Sequence, residues 1–312
     1  MRGYGVAWVK VTFFGLALFY IAYDLEWSTF FNVMGDVTWQ QIVMVLICNF
    51  AGFYMLAYRW YVMTKRQIGF KASLETTFVC LSVNNITPVK AGEVAKTFYL
   101  KKYYGLPMAR SFPLMMIERL LDLFFMGLLV VWISLEYSAV HVNVLLAALL
   151  TGVAVLYLWI RRTRWSLKLV RRYSPRKSRR FISEMVKTTA RITRKEWGTY
   201  MVLTALLWLL YCSGSVVFFI FSETVSLPIS AIIVFFVFSA FGMVLPSTPG
   251  GIGVVQASGV FALSLFGVDK EMALGITLIL HMLQYLPTTF IGILILYAKD
   301  FKIKPEVWSK YG

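Results

Sequence analysis

Apolar runs near bilayer length recur along this chain and restrict its fold more than any other feature. A helix crossing the ~30 Å hydrocarbon core of a bilayer needs about 20 apolar residues. Runs over 6–22, 39–62, 107–135, 142–160, 198–221 and 272–298 meet or approach that length. Shorter ones cover 73–83, 229–245 and 252–267. With 59% hydrophobic residues, the chain carries more apolar side chains than a soluble protein of 312 residues can cover. The pattern predicts an all-α polytopic membrane protein, with 1–312 as a single transmembrane domain. Phe19 to Tyr23 is too bulky for a signal-peptide cleavage site, so the first run reads as a retained span.

Charge orients these runs. The net charge is +16, and residues 161–195 alone hold 14 Lys and Arg against one acid, Glu184, a net +13. Such a local excess points to membrane topology rather than to nucleic acid. Short loops rich in Lys and Arg stay in the cytoplasm. The rule places inside the 161–197 loop and the end of the 39–62 run, with Arg59, Lys65, Arg66 and Lys71. Asp24, Glu26 and Asp36, in a loop without Lys or Arg, fall outside. Both termini are then cytoplasmic, in a plasma (inner) membrane protein. After Ser174-Pro175, Phe181, Ile182, Met185, Val186, Thr189 and Ile192 recur at helical spacing among basic residues. This describes either an amphipathic helix on an anionic leaflet or a solvated linker that sets topology. Cys48, Cys80 and Cys212 lie in apolar runs without metal-ligand spacing and read as core residues.

Two apolar stretches are interrupted in the same way. Thr87-Pro88-x-x-x-Gly92-x-Val94 is echoed by Thr248-Pro249-x-x-x-Gly253-x-Val255, 161 residues later. Irregular backbone at membrane depth must be packed in protein or line a wet cavity, and paired interruptions point to a transporter's binding site. The topology makes one hairpin, 73–105, open from the cytoplasm and the other, 229–267, from outside; either could span or re-enter. Each is followed by a glycine turn and a long span with polar residues: Glu118, Arg119 and Asp122 in one, His281 and Gln284 in the other. The halves, 39–135 and 198–298, read as inverted repeats, each with a broken or re-entrant helical hairpin, joined by the 142–160 span.

The polar residues at these breaks are the candidate substrate-binding set. Glu118 and Asp122 are four apart and share a helix face, whereas Arg119 points elsewhere. Charges inside a membrane cost about 2.5–3.5 kcal/mol each on insertion scales, so they mark either a functional site or a network locking helices together. Arg119 reads as the one permanent cation near mid-depth, held by Glu118 and Asp122. Lys90, Glu93 and Lys96 are spaced so that Glu93 can face both lysines if a helix restarts near Ala91. That restart offers free N–H groups and a positive dipole end to an anion such as phosphate, and Asn84, Asn85 and Thr87 add neutral groups. An interfacial loop obeying the charge rule is the plainer reading. In the second break Ser247, Thr248, Gly250 and Gly251 allow close backbone approach, with Gln256 one turn into the next helix. Small-residue helix packing would explain the glycines equally. His281 is either a titrating group or a satisfied hydrogen-bonding one.

The sequence contains no nucleophile elbow, zinc-protease motif, phosphate loop or Cys/His metal cluster, so no enzyme activity, cofactor or metal is expected. The three motifs together, Asn84/Asn85 with Thr87-Pro88, Lys90 and Gly92-Glu93, then Glu118-Arg119 with Asp122, then Pro246 to Gly253, resemble the flippase-like family that includes the transmembrane region of lysylphosphatidylglycerol synthase. The resemblance covers nearly the whole chain. Lys90 stands where that family commonly has arginine, and Gln256 where it commonly has an acid. The resemblance implies a lipid flippase for an anionic or glycosylated lipid, either a modified phospholipid or a polyprenyl-phosphate-linked sugar. With the chain ending at Gly312, no aminoacyl transfer is expected. The implied partners are the lipid substrate, the anionic leaflet through 161–195, and a separate lipid-modifying enzyme. Asp24 and Glu26 keep open a polyprenyl-phosphate-dependent membrane glycosyltransferase or its accessory subunit. A scaffold that recruits a lipid-modifying enzyme without transporting is the third reading.

Overall fold

The computed structural model describes residues 35–87, 91–137, 179–244 and 248–299, with isolated positions 28, 31 and 172. The expected first span, Asp24 and Glu26, the 142–160 span, most of 161–178, and Pro88, Lys90, Pro246 and Ser247 lie outside the described residues. Among the described residues there are nine α-helices and no strand. They are α1 Trp39–Met63, α2 Phe70–Ile86, α3 Gly92–Tyr104, α4 Met108–Glu136, α5 Arg179–Ala190, α6 Arg194–Ile220, α7 Ile229–Val244, α8 Val254–Ser264 and α9 Lys270–Ala298. Three of them, α1, α6 and α9, are long and apolar enough to cross a membrane.

Local chemistry sets the helix ends. Thr38 and Thr193 cap α1 and α6 by the same reciprocal device: the hydroxyl accepts the N–H three residues on, and the Gln41 or Glu196 side chain reaches back to the cap N–H. Gln41 Nε2 also donates to Phe218 O at 3.1 Å. That contact joins the start of α1 to the end of α6, and Arg59 meets Thr204 at the other end, so the two helices run antiparallel. A Cβ on Gly52 would lie 2.6 Å from the Tyr211 ring, so glycine sets their closest approach.

The remaining helices arrange around this pair. α1 packs on α2 and α9, α6 packs on α7 and α4, α2 lies along α9, and α7 touches α4. Two apolar cores result. Trp60, Met63, Leu100, Leu114, Met115, Leu121 and Tyr200 form one, at the end of α1. Val45, Phe218, Phe219, Ile232, Phe235, Leu263 and Ile276 form the other, at its start. Residues 60–121 supply most of the first core, with Tyr200 of α6 added, and residues 218–276 most of the second, with Val45 of α1 added, at opposite ends of the α1–α6 pair. The polar residues lie between them. The basic helix α5 packs against α4. Its Lys187 pairs with Glu184 at 2.9 Å, and the Glu184 carboxyl is held below the usual carboxylate range by that hydrogen bond.

Candidate functional site

The first break is a tight corner between α2 and α3. Asn84 Oδ1 accepts the N–H of Gly92 at 2.8 Å, so the first amide of α3 is already capped. The Asn84 amide donates to Glu93 Oε1 at 3.2 Å. A Cβ on Gly92 would fall 2.0 Å from Cys80 O, and only glycine lets α3 return this close to α2. Thr87 spends its hydroxyl locally, donating to Val83 O and accepting from the Ala91 N–H. Asn85 points the other way: its amide donates to the hydroxyls of Thr288 and Thr289 on α9, at 3.0 and 2.8 Å.

The second break, Thr248 to Gly253, turns through Gly250, Gly251 and Gly253, whose φ angles are 64°, 74° and 90°. These left-handed values suit glycine alone. A Cβ on Gly250 would lie 2.2 Å from the Tyr285 ring and 3.3 Å from Asn85 O. The two breaks, 161 residues apart in sequence, therefore meet across Tyr285.

The charges sort into two groups. Arg59 of α1 is fully buried and donates to Asp122 Oδ1 at 2.6 Å, Glu118 Oε1 at 3.1 Å and the Thr204 hydroxyl at 3.0 Å. Lys96 of α3, 2% exposed, donates to Glu118 Oε2 at 2.8 Å, with its ammonium 3.6 Å from the centre of the Trp60 ring. Glu118 is thus shared by two buried cations. Arg119 differs: its side chain is 40% exposed, and its nearest carboxylates are Asp122 at 3.4 Å and Glu93 at 3.7 Å. Its Nε is screened from water yet makes no hydrogen bond, and neither does Glu93 Oε2.

These contacts correct three expectations. Glu93 does not face Lys96, which crosses to α4 and Glu118 instead. Glu118 does not hold Arg119; Arg59 and Lys96 occupy it. Arg119 is not the one permanent cation at this depth, because Arg59, near the end of α1, turns into the helix bundle and is fully buried beside Glu118 and Asp122. Sequence reasoning missed Arg59, although a signal existed: Val45, Asn49, Gly52, Leu56, Arg59 and Met63 form one buried stripe on α1. An arginine on that stripe must find a buried carboxylate.

A cavity of about 410 Å³ lies between the breaks. Asn84, Asn85, Glu93, Arg119 and Asp122 from the first half line it, with Thr248, Gly250, Gly251, His281 and Gln284 from the second. Lys96, Glu118, Thr87 and Gln256 are not on its wall. Lys96, Glu118 and Gln256 are themselves buried behind it. Helices α6 and α7 add mostly apolar lining, with Leu207, Trp208, Phe235, Phe236 and Met243. Trp208 Nε1 and Ser239 Oγ, also on the lining, have no hydrogen-bond partner. The sequence does not single out Trp208, Tyr211 or Ser239, which look like ordinary span residues. Among the described residues no group of His, Cys, Asp and Glu could hold a metal ion. The three cysteines are free thiols.

This chain is similar in sequence to several UPF0104 membrane proteins. A UPF0104 membrane protein of Methanocaldococcus jannaschii is 25% identical over 88% of this chain and 88% of its own length. One from Methanothermobacter thermautotrophicus is 23% identical over 95% of this chain and 96% of its own. A second M. jannaschii UPF0104 membrane protein is 24% identical over 72% of this chain and 97% of its own. The family described as the lysylphosphatidylglycerol synthase TM region matches residues 7–292, which takes in both breaks, the charged helix α4 and most of α9. This chain is a membrane protein of the lysylphosphatidylglycerol synthase TM-region family.

Proposed function

We propose that this protein is a lipid flippase that moves an anionic or glycosylated lipid between leaflets. The observation that carries the reading is the two-sided cavity between the breaks, with Arg119 half-exposed in it. A lipid head group needs a polar path through an apolar layer, because an unpaired charge there is costly. The cavity volume, about 410 Å³, is within the ~300–1,000 Å³ of small-molecule sites. Of the charged groups on its described lining Arg119 suits a phosphate, while Glu93 and Asp122 compete with one, and Leu207, Trp208 and Phe235 suit the first methylenes of the tails. Arg59, Lys96 and Arg119 balance Glu93, Glu118 and Asp122, so an incoming phosphate must compete with carboxylates. Arg59 and Arg119 each have an Nε without a partner, and of the two only Arg119 lines the cavity.

The inverted-repeat reading belongs to the same proposal. The antiparallel α1–α6 pair supports it, and so does the matched packing of α1 on α9 and α6 on α4. The two cores at opposite ends support it further. Alternating access would then rock one half against the other around the cavity. The basic 161–195 segment is the proposed contact with the anionic leaflet. The reading assigns no bond-making step to this chain. The test is a plug: Ser239→Trp puts a large ring into the cavity without changing charge. Reconstituted in proteoliposomes, the folded variant should lose most flux of a fluorescent anionic phospholipid. Unchanged flux would contradict a head-group path through the cavity.

A further inference from the structure

The second break is closed by a chain of hydrogen bonds that begins and ends on the same turn. The N–H of Gly253, the cap residue of α8, donates to Gln256 Oε1 at 2.7 Å. An N–H needs an acceptor, so the oxygen of the amide faces Gly253 and its NH₂ faces away. That NH₂ lies 3.0 Å from Nδ1 of His281 on α9. Nδ1 must therefore be the bare, accepting nitrogen. Nε2 then carries the proton, and it lies 3.1 Å from the carbonyl of Gly250. The four groups fit in one direction only.

From this geometry we infer that Gln256 is a positioning residue: it fixes His281 as the neutral Nε2–H tautomer and thereby pins the glycine turn that walls the cavity. Gly250 and Gly253 are both left-handed, at φ 64° and 90°, and the loop ties both to helices rather than leaving them to their own conformational freedom. Gln256 holds one end and His281 the other, so neither alone keeps the turn closed. The opposite tautomer would set Nδ1–H against the Gln256 NH₂. Turning the amide over relieves that clash but sets NH₂ against the Gly253 N–H. Either way one link breaks.

Other groups near the ring do not supply the lock. Among the described residues the ring's hydrogen-bond partners are Gln256 and Gly250. Tyr285 meets it edge-on at 5.8 Å. The ionisable groups sharing the cavity with it are Glu93 of α3, Arg119 and Asp122 of α4, and Tyr211 of α6. One consequence is a charge contrast across the cavity. The formal charges on its described lining all come from the first half, while the second half presents neutral donors and acceptors.

The test does not depend on lipid movement, so its failure is distinct from failure of the flippase reading. The chain has two histidines, His141 and His281. In protein labelled with ¹⁵N-histidine, the imidazole that persists in His141→Asn belongs to His281. If that variant does not fold, the signal lost in His281→Gln identifies it. At pH 7.5 the expected ring has a protonated Nε2 and a bare Nδ1. Gln256→Leu should release the ring to tautomer exchange and speed amide hydrogen exchange of the 248–256 peptide by about tenfold or more. Gln256→Glu keeps the acceptor for the Gly253 N–H but turns the NH₂ donor into an acceptor facing Nδ1, so the ring should become doubly protonated at pH 7.5. A protonated Nδ1 in the unsubstituted chain would overturn the inference. So would a Gln256→Leu protein with an unchanged ring and unchanged exchange.

Discussion

Replacing Glu118 by Gln should destabilise this protein more than any other neutralisation in the charged cluster. Glu118 is fully buried and accepts from Arg59 at 3.1 Å and from Lys96 at 2.8 Å. After the change Arg59 keeps Asp122, at 2.6 Å, but the Lys96 ammonium loses its carboxylate and is left with at most a neutral amide oxygen and the Trp60 ring, 3.6 Å away. Removing one partner of a buried pair costs about 3–5 kcal/mol, chiefly from the charge left unpaired. At about 1.4 kcal/mol per tenfold, that lowers the folded-to-unfolded ratio by more than a hundredfold. The Lys96–Trp60 contact is present before and after the change, so it offsets none of this loss. The assay is reversible unfolding in mixed micelles, followed by tryptophan fluorescence. Adding Lys96→Met to Glu118→Gln removes the orphaned charge, so the double variant should be more stable than the single, with a coupling of about 0.5–3 kcal/mol. A loss below about 1 kcal/mol, the level of an exposed ion pair, would refute this reasoning. Simple addition of the two single effects would refute it equally.

Two further outcomes follow from the topology and from the reading without chemistry. Cysteines introduced at Ser138 and Ser222 should label from outside the membrane and one at Ser178 only from inside; labelling of Ser138 and Ser178 from one side would end the inverted-repeat reading. Asp24→Asn with Glu26→Gln should leave lipid flux in proteoliposomes largely intact; loss of flux, with a sugar-transfer product made by the unsubstituted protein, would favour a glycosyltransferase.

Hydropathy and breaker residues locate the helices closely. The 39–62 run becomes Trp39–Met63 and the 198–221 run Arg194–Ile220, because long apolar runs and strong caps leave little choice. The restart expected near Ala91 occurs at Gly92, where the chain must pass within 2.0 Å of where a side chain would stand. What the sequence hides is pairing. Arg59 sits six residues before Lys65 and reads as one more cytoplasmic anchor, yet it faces the bundle interior. Glu93 and Lys96 have the spacing of a helix-surface pair, worth about 0.2–0.5 kcal/mol. A buried carboxylate on another helix outweighs so small a preference, and Lys96 goes to Glu118. Trp208 and Tyr211 show the other blind spot. In an apolar run nothing local separates an aromatic ring facing lipid from one lining a cavity.

In the proposed flippase, Arg59, Lys96 and Glu118 hold the helices together and Arg119 meets the head group. The direct test is lipid flux per folded molecule for Arg119→Gln, measured beside its unfolding free energy. Arg119 is 40% exposed, with carboxylates no nearer than 3.4 Å, so the substitution should cost about 1 kcal/mol or less. Flux of an anionic lipid should nevertheless be abolished. Normal flux per folded Arg119→Gln molecule would contradict the central claim.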